Sequence, residues 1–102
     1  MVTVGMYYDV LPGEGAAFQA KFEAVVVALR GAAGHTSSFL YRRVDDPDSY
    51  AIISEWSEAG AFQAFIRSAE FREVVAWGRE TILRNPPRHK IYPHSEDVGR
   101  PH

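Results

Sequence analysis

Several things are missing from this chain of 102 residues, and each absence excludes a class of protein. The chain has no cysteine, which rules out disulfides, thiolate nucleophiles and cysteine-bound metals. No apolar run approaches the roughly 20 residues of a membrane span, and the start lacks the pattern of a signal peptide. These absences predict a soluble, cytoplasmic protein that has no membrane partner.

A strong charge of either sign is also missing. Eleven basic residues face thirteen acidic ones, interspersed along the chain, for a net charge of −2. Nucleic-acid binding requires a clustered basic face, so we expect no nucleic-acid partner. Neither a Gly-x-Ser-x-Gly nucleophile turn nor a glycine-rich phosphate loop occurs. His89 and His94 lie five residues apart along the last strand, a spacing that does not bring two imidazoles to one ion, and we predict no metal site.

Hydrophobic residues make up 46% of the chain, which is enough to build one core. A domain of this length still leaves much of its surface exposed and is only marginally stable alone. Burial of a further face in an oligomer would add stability, so composition alone already favours assembly.

Hydrophobic spacing divides the chain into strands and helices. Apolar residues alternate from Val2 to Val10, as in a strand, whereas from Glu14 to Leu29 they recur at helical spacing. Further strands are predicted over 38–44, 50–56 and 88–92, and further helices over 58–67 and 69–84. We expect Ser57 and Ser68 to cap these last two helices. The polar, proline-bounded residues 93–102 are predicted to form a tail.

The order of these elements is βαββαβ, which predicts an α+β fold with helices on one face of a four-stranded antiparallel sheet. Large apolar side chains occur in both phases of the strands, so both faces need a cover. We therefore predict a homodimer through the second face, which we expect to include Tyr7, Phe39 or Trp56.

Residues 50–75 carry a resemblance to a known family. A strand ends at a Trp-Ser-Glu corner at Trp56, an Ala-Phe pair follows, and Ser68 and Phe71 form a Ser-x-x-Phe motif. This pattern resembles the antibiotic biosynthesis monooxygenase domain family. The resemblance implies a ferredoxin-like domain over residues 1–92 and a homodimer whose two sheets form a shared α/β barrel.

Some members of that family degrade haem with an asparagine, a tryptophan and an iron-binding histidine. In the register set by residues 65–71, Phe65 stands at the tryptophan position and Val75 at the histidine position. Counting back from Gly13 puts Met6 at the asparagine position. Valine cannot coordinate iron. We therefore expect no haem degradation by that mechanism.

Other members are cofactor-independent monooxygenases, in which an activated carbanion of an aromatic substrate reacts directly with oxygen. The resemblance favours this activity on a small aromatic or quinone-like substrate, without a cofactor. Such chemistry needs an apolar pocket and one or two groups that hold or take a proton. We predict Tyr8 and His89 as the catalytic residues, with His35 as an alternative to His89. The predicted substrate-binding residues are apolar: Met6, Phe62, Phe65, Phe71 and Val75.

Three other functions remain open at this stage. The same fold hosts several reactions, so an isomerase or decarboxylase acting on a similar substrate is one of them. The second is a small-molecule binding or stress-associated protein without turnover. The third is haem binding through a histidine outside the family position.

Overall fold

A computed structural model describes residues 1–94, and the predicted tail 93–102 lies largely outside the described residues. The element order is the predicted βαββαβ, with the second helical segment divided in two. The elements are β1 (Val2–Asp9), α1 (Gly15–Arg30), β2 (His35–Arg42), β3 (Ser49–Trp56), α2 (Ala59–Ile66), α3 (Ala69–Thr81) and β4 (Arg88–Pro93).

The four strands form one antiparallel sheet in the order β2-β3-β1-β4, so the predicted ferredoxin-like α+β fold is confirmed. β1 lies inside the sheet and pairs with β3 on one side and β4 on the other. Its burial alternates because one set of side chains faces the helices. That set is Val2, Val4, Met6 and Tyr8.

The core lies between this face of the sheet and the helices. α1 contributes Phe18, Val25 and Leu29, which recur at helical spacing and are buried as the sequence predicted. The rings of Phe18 and Tyr8 lie 5.2 Å apart, which ties α1 to the middle of β1. β1 is therefore flanked by β3 and β4 within the sheet, and α1 packs against one of its faces.

One of the two predicted helix caps is confirmed. The side chain of Ser68 accepts a hydrogen bond from the backbone N–H of Phe71 at 3.3 Å and so begins α3. The prediction for Ser57 is wrong, because Glu58 holds the cap position of α2 and makes no side-chain cap bond. The cap at Ser68 therefore marks where α3 begins.

Several boundaries differ from the predicted ones. β2 begins at His35, three residues early, and an irregular register between His35 and Ser37 accommodates the polar start of the strand. α3 ends at Thr81 and not at residue 84. Val10 and Leu83 form an isolated bridge there, so the chain is already extended before the two prolines.

The face of the sheet turned away from the helices is only partly covered by the described residues. Phe39 is 61% exposed and Tyr41 54% exposed, and Tyr7, Ile53 and Tyr92 share this side by register. We call these five residues the open face.

The assignment of Trp56 to the open face was wrong. Trp56 shares the parity of Ile52 and pairs with Val2, and both of those residues face the helices. It is fully buried there, between the rings of Phe62 at 5.7 Å and Phe65 at 5.5 Å.

Candidate functional site

A pocket of about 210 Å³ lies between the sheet and the second helical segment. Its floor is β1, one wall comes from α2 and α3, and its mouth is formed by the start of β4. The lining residues are Met6, Tyr8, Phe62, Ile66, Phe71, Val75, Pro87, Arg88 and His89. Six of the seven residues that the sequence predicted for the site are in this set, so the fold brings them to one place.

The one buried hydroxyl of the pocket belongs to Tyr8, which is 8% exposed. Its Oη donates a hydrogen bond to Met6 Sδ at 3.8 Å, and a thioether sulfur is a weak acceptor. Burial raises the pKa of the Tyr8 phenol well above its ordinary value. Tyr8 therefore stays protonated and is suited to donate a hydrogen bond, not to take a proton.

His89 stands at the mouth of the pocket. It pairs directly with Met6 across β1 and β4, and antiparallel partners point to the same face. Its ring meets the ring of Phe62 edge-on at 5.3 Å. Because the imidazole is exposed while the Tyr8 hydroxyl is buried, the pocket has one wet polar end and one dry polar end.

The entry to β4 is anchored by a carboxylate. Arg88 Nη1 donates to Asp9 Oδ2 at 3.1 Å, and Asn85 and Ser49 also donate to Asp9. Burial opposes the ionisation of Asp9, yet these hydrogen bonds hold its pKa below the ordinary value. The anchored loop, stiffened by Pro86 and Pro87, sets where His89 stands.

α3 supplies two residues of the helical wall. Phe71 and Val75 are four residues apart on α3, so they lie on one side of the helix and both reach the pocket. Phe65, predicted to contact the substrate, does not line the pocket. It lies behind the wall, with its ring 5.0 Å from that of Phe71, because Trp56 fills the space beneath it.

Three lining residues were not predicted, namely Ile66, Pro87 and Arg88. Ile66 was within reach of the sequence pattern, because it follows Phe62 by one helical turn. The other two carry no such signal. They line the pocket because β4 pairs with β1, which is a long-range contact.

His35, the alternative to His89, lies elsewhere. Its Nε2 is 2.8 Å from Ser38 Oγ, and its ring meets Trp56 edge-on at 5.2 Å. Burial lowers the pKa of His35, against a backbone hydrogen bond at Ser37 that raises it. This histidine has a structural place at the start of β2 and is not among the residues that line the pocket.

A larger groove of about 630 Å³ runs between the end of α1 and α2. Small side chains line most of it, and Phe65 is the one aromatic residue of its lining. It has neither the aromatic walls nor the buried hydroxyl of the smaller pocket. We therefore treat the pocket at Tyr8 as the candidate functional site.

Within residues 1–94, no group of three or more histidine or acidic side chains is arranged to hold a metal ion. In the same residues, no helix is both long and apolar enough to cross a membrane. What the pocket offers is a mostly apolar lining with a buried hydrogen-bond donor and an exposed imidazole at its mouth.

The model of the antibiotic biosynthesis monooxygenase family matches residues 1–77, which include β1, α2 and most of α3. The chain belongs to this family. The resemblance of residues 50–75 is thereby confirmed, and with it a monooxygenase-like or small-molecule binding role for the fold.

Relatives at the level of sequence come from haloarchaea. A protein from Halobacterium salinarum, named as a candidate heme-binding protein, is 37% identical over 87 residues, or 85% of this chain. A protein from Haloarcula marismortui with the same kind of name is 38% identical over the same share. The match covers only 18% and 13% of those proteins, so the chain spans less than a fifth of their length.

Solved structures share the fold at low sequence identity. A candidate antibiotic biosynthesis monooxygenase from Deinococcus radiodurans superposes with a TM-score of 0.82 at 13% identity, covering all of both chains. A cofactor-independent oxygenase from Streptomyces nogalater superposes with a TM-score of 0.77 at 20% identity, covering 97% of each chain. At these identities the likeness shows the fold alone.

Proposed function

We propose that this protein is a cofactor-independent monooxygenase acting on a small aromatic or quinone-like substrate. The observation that carries the proposal is the pocket itself, whose mostly apolar lining includes the buried Tyr8 and, at its exposed end, Arg88 and His89. Membership of the family and the likeness to an oxygenase of the same fold support it.

In this proposal the two polar residues have different tasks. His89 takes a proton from the substrate at the wet end, because imidazole is the side chain best suited to exchange protons near neutral pH. Tyr8 donates a hydrogen bond to the substrate oxygen on which negative charge collects. The resulting carbanion adds to oxygen at a ring carbon that still carries hydrogen, which gives a hydroperoxide after protonation. Loss of that hydrogen as a proton and cleavage of the O–O bond turn the carbon into a carbonyl and release the second oxygen atom as water. The substrate itself is therefore the reductant, and the product is a quinone.

The apolar walls keep water away from the carbanion, which would otherwise be reprotonated. The direct test is oxygen uptake by the purified protein with hydroxylated aromatic compounds. We expect uptake in proportion to protein concentration and unchanged by a metal chelator. Uptake abolished by the chelator would contradict cofactor independence, and conversion without uptake would favour an isomerase or decarboxylase.

Replacement of His89 with glutamine is expected to slow oxygen uptake by about tenfold or more, because the substrate loses its proton acceptor. Since His89 is exposed at the mouth, added imidazole should restore part of the rate. The matched control is His35→Gln, which alters a histidine away from the pocket. Equal losses in both variants, or no rescue by imidazole, would contradict the assigned role.

The second candidate function is binding of a small molecule, haem included, without turnover. The names of the haloarchaeal relatives favour it, although the matched segment is a small part of those proteins. The pocket does not fit haem. Its volume is small for a porphyrin, and Val75 offers no ligand to iron at the position where haem-degrading relatives have histidine.

We therefore expect that haem mixed with the protein and a reductant will keep its Soret absorbance, apart from the loss seen with free haem. The control is the same mixture without protein. Faster loss of the band with release of iron and a bilin-like product would contradict the prediction. A shifted, stable band that disappears in His89→Gln would instead identify His89 as a ligand outside the family position.

We further propose that the protein is a homodimer whose two copies meet through the open face. The support is its apolar content: Phe39 and Tyr41 are more than half exposed in the single chain, and Ile53 lies beside them. Burial of such a patch is favourable by about 25 cal/mol for each Å² removed from water. The open face of a second copy is an equally apolar surface that could cover it.

Replacement of Phe39 with aspartate is expected to convert the dimer to single chains of 11.4 kDa, because a charge would be buried without a partner. Phe39 is exposed in the monomer, so the variant should still fold. The control is Val27→Asp, which adds the same charge at an exposed apolar residue of α1. Sedimentation that shows the unaltered protein as 11.4 kDa at micromolar concentration would contradict the dimer.

A further inference from the structure

We infer that the pocket admits aromatic compounds of one or two rings and excludes three fused rings, and that Val75 is a residue that sets this limit. The inference rests on the proposed function for the location of the site, and it adds the size of the substrate. It depends on the volume of the pocket and on which lining residues can move aside to enlarge it.

The volume is the first observation. A cavity of about 150 Å³ inside a protein takes up benzene, whereas pockets for drug-sized ligands have roughly 300–1,000 Å³. At about 210 Å³ this pocket is about 1.4 times the benzene-sized cavity. One substituted ring, or two fused rings with one edge at the mouth, can be accommodated, but a third ring needs more space.

The inner walls cannot supply that space. Phe62 is fully buried and Met6 is 2% exposed, and the strand that carries Met6 is hydrogen-bonded on both sides. Protein interiors are close-packed, so residues in such positions do not move aside by the width of a ring. Apart from the exposed mouth residues Arg88 and His89, only the half-buried outer residues leave room for change, namely Ile66, Phe71, Val75 and Pro87.

Among the half-buried outer residues Val75 is the best placed to limit the size of a ligand, because Ile66 and Phe71 also pack against the hydrophobic core. Phe71 packs against the ring of Phe65, so shortening it would disturb the wall behind the pocket. Pro87 fixes the approach to His89. Val75 lines the pocket from α3, and its replacement by alanine removes two methyl groups from the outer wall without touching either contact.

The chain also provides a matched control. Val74 is the neighbour of Val75 on α3, is half-buried as well, and packs against the hydrophobic core instead of lining the pocket. Val74→Ala therefore removes the same atoms from the same helix at similar burial. A change in ligand binding that both variants share would arise from a disturbance of α3. A change confined to Val75→Ala would arise from the altered pocket.

The test is calorimetric binding of phenol, 1-naphthol and 1-anthrol without oxygen, because these compounds differ only in ring number. We expect phenol and naphthol to bind and anthrol to bind about tenfold or more weakly than naphthol. In Val75→Ala this gap should shrink at least about threefold, and in Val74→Ala it should persist. Equal binding of anthrol and naphthol to the unaltered protein, no binding of any of the three, or an equal response of both variants would overturn the inference.

Oxygen uptake with the same compounds separates this inference from the proposed function. Binding in the expected size order without any uptake would support the size limit and contradict the oxygenase. Uptake with anthrol as fast as with naphthol would support the oxygenase and overturn the size limit.

Discussion

Replacement of Tyr8 with phenylalanine is expected to lower the rate of oxygen uptake by about 100-fold, because it removes the one buried hydroxyl of the pocket, which we propose to donate to the substrate oxygen. Loss of a single donor to a developing negative charge typically costs this much or more. The fold should tolerate the change, since the hydroxyl bonds only a thioether sulfur among the described residues. Substrate binding should weaken much less than the rate falls.

The prediction is specific because the rate of oxygen uptake should fall much more than substrate binding weakens. If Tyr8 made only a neutral contact with the substrate, its loss would cost about 1 kcal/mol in binding and would leave the rate nearly unchanged. Tyr50→Phe is a matched control, because Tyr50 is equally buried on the same sheet face and its hydroxyl bonds Gln19 at 3.0 Å instead of lining the pocket. Equal rates for the two variants would contradict the role of Tyr8.

Replacement of Trp56 with alanine is expected to lower the free energy of unfolding by about 3–5 kcal/mol. Trp56 is fully buried between Phe62 and Phe65, so its loss leaves a large cavity. It also removes the indole donor that bonds Ser54 Oγ at 2.9 Å in a buried place. Since small domains have only about 5–15 kcal/mol of stability, this variant should be close to unfolding.

Urea denaturation followed by circular dichroism would measure that loss. Trp77→Ala is the control, because Trp77 is half-buried on α3 and its ring lies 4.9 Å from Lys21 Nζ near the surface. Its loss of stability should be less than half as large. A similar loss in both variants would contradict the place of Trp56 at the centre of the core.

The side of the sheet on which Trp56 lies could not be predicted from the sequence. Alternation of apolar residues located β3 and its two faces, because the side-chain period of a strand is two. It did not say which face met the helices, since both phases of β3 carry large apolar residues. That choice depends on pairing with β1 and on the ring partners from α2, which are long-range contacts.

The candidate site was predicted in larger part. Strand alternation placed Met6 and Tyr8 on one face, and helical spacing placed Phe71 and Val75 on one side of α3. Phe65 was predicted for the same wall, but the space below it is taken by Trp56. Pro87 and Arg88 were not predicted, because their place at the mouth depends on how β4 pairs with β1, which no local pattern contains.

The most direct test of the proposed oxygenase is mass spectrometry of the product formed from a two-ring hydroxylated aromatic under isotopically labelled oxygen gas. We predict one labelled oxygen atom in each product molecule, formed by the unaltered protein in the presence of a chelator and about 100-fold more slowly by Tyr8→Phe. A product without the label, or a labelled product that forms equally fast with Tyr8→Phe, would contradict oxygenation in this pocket.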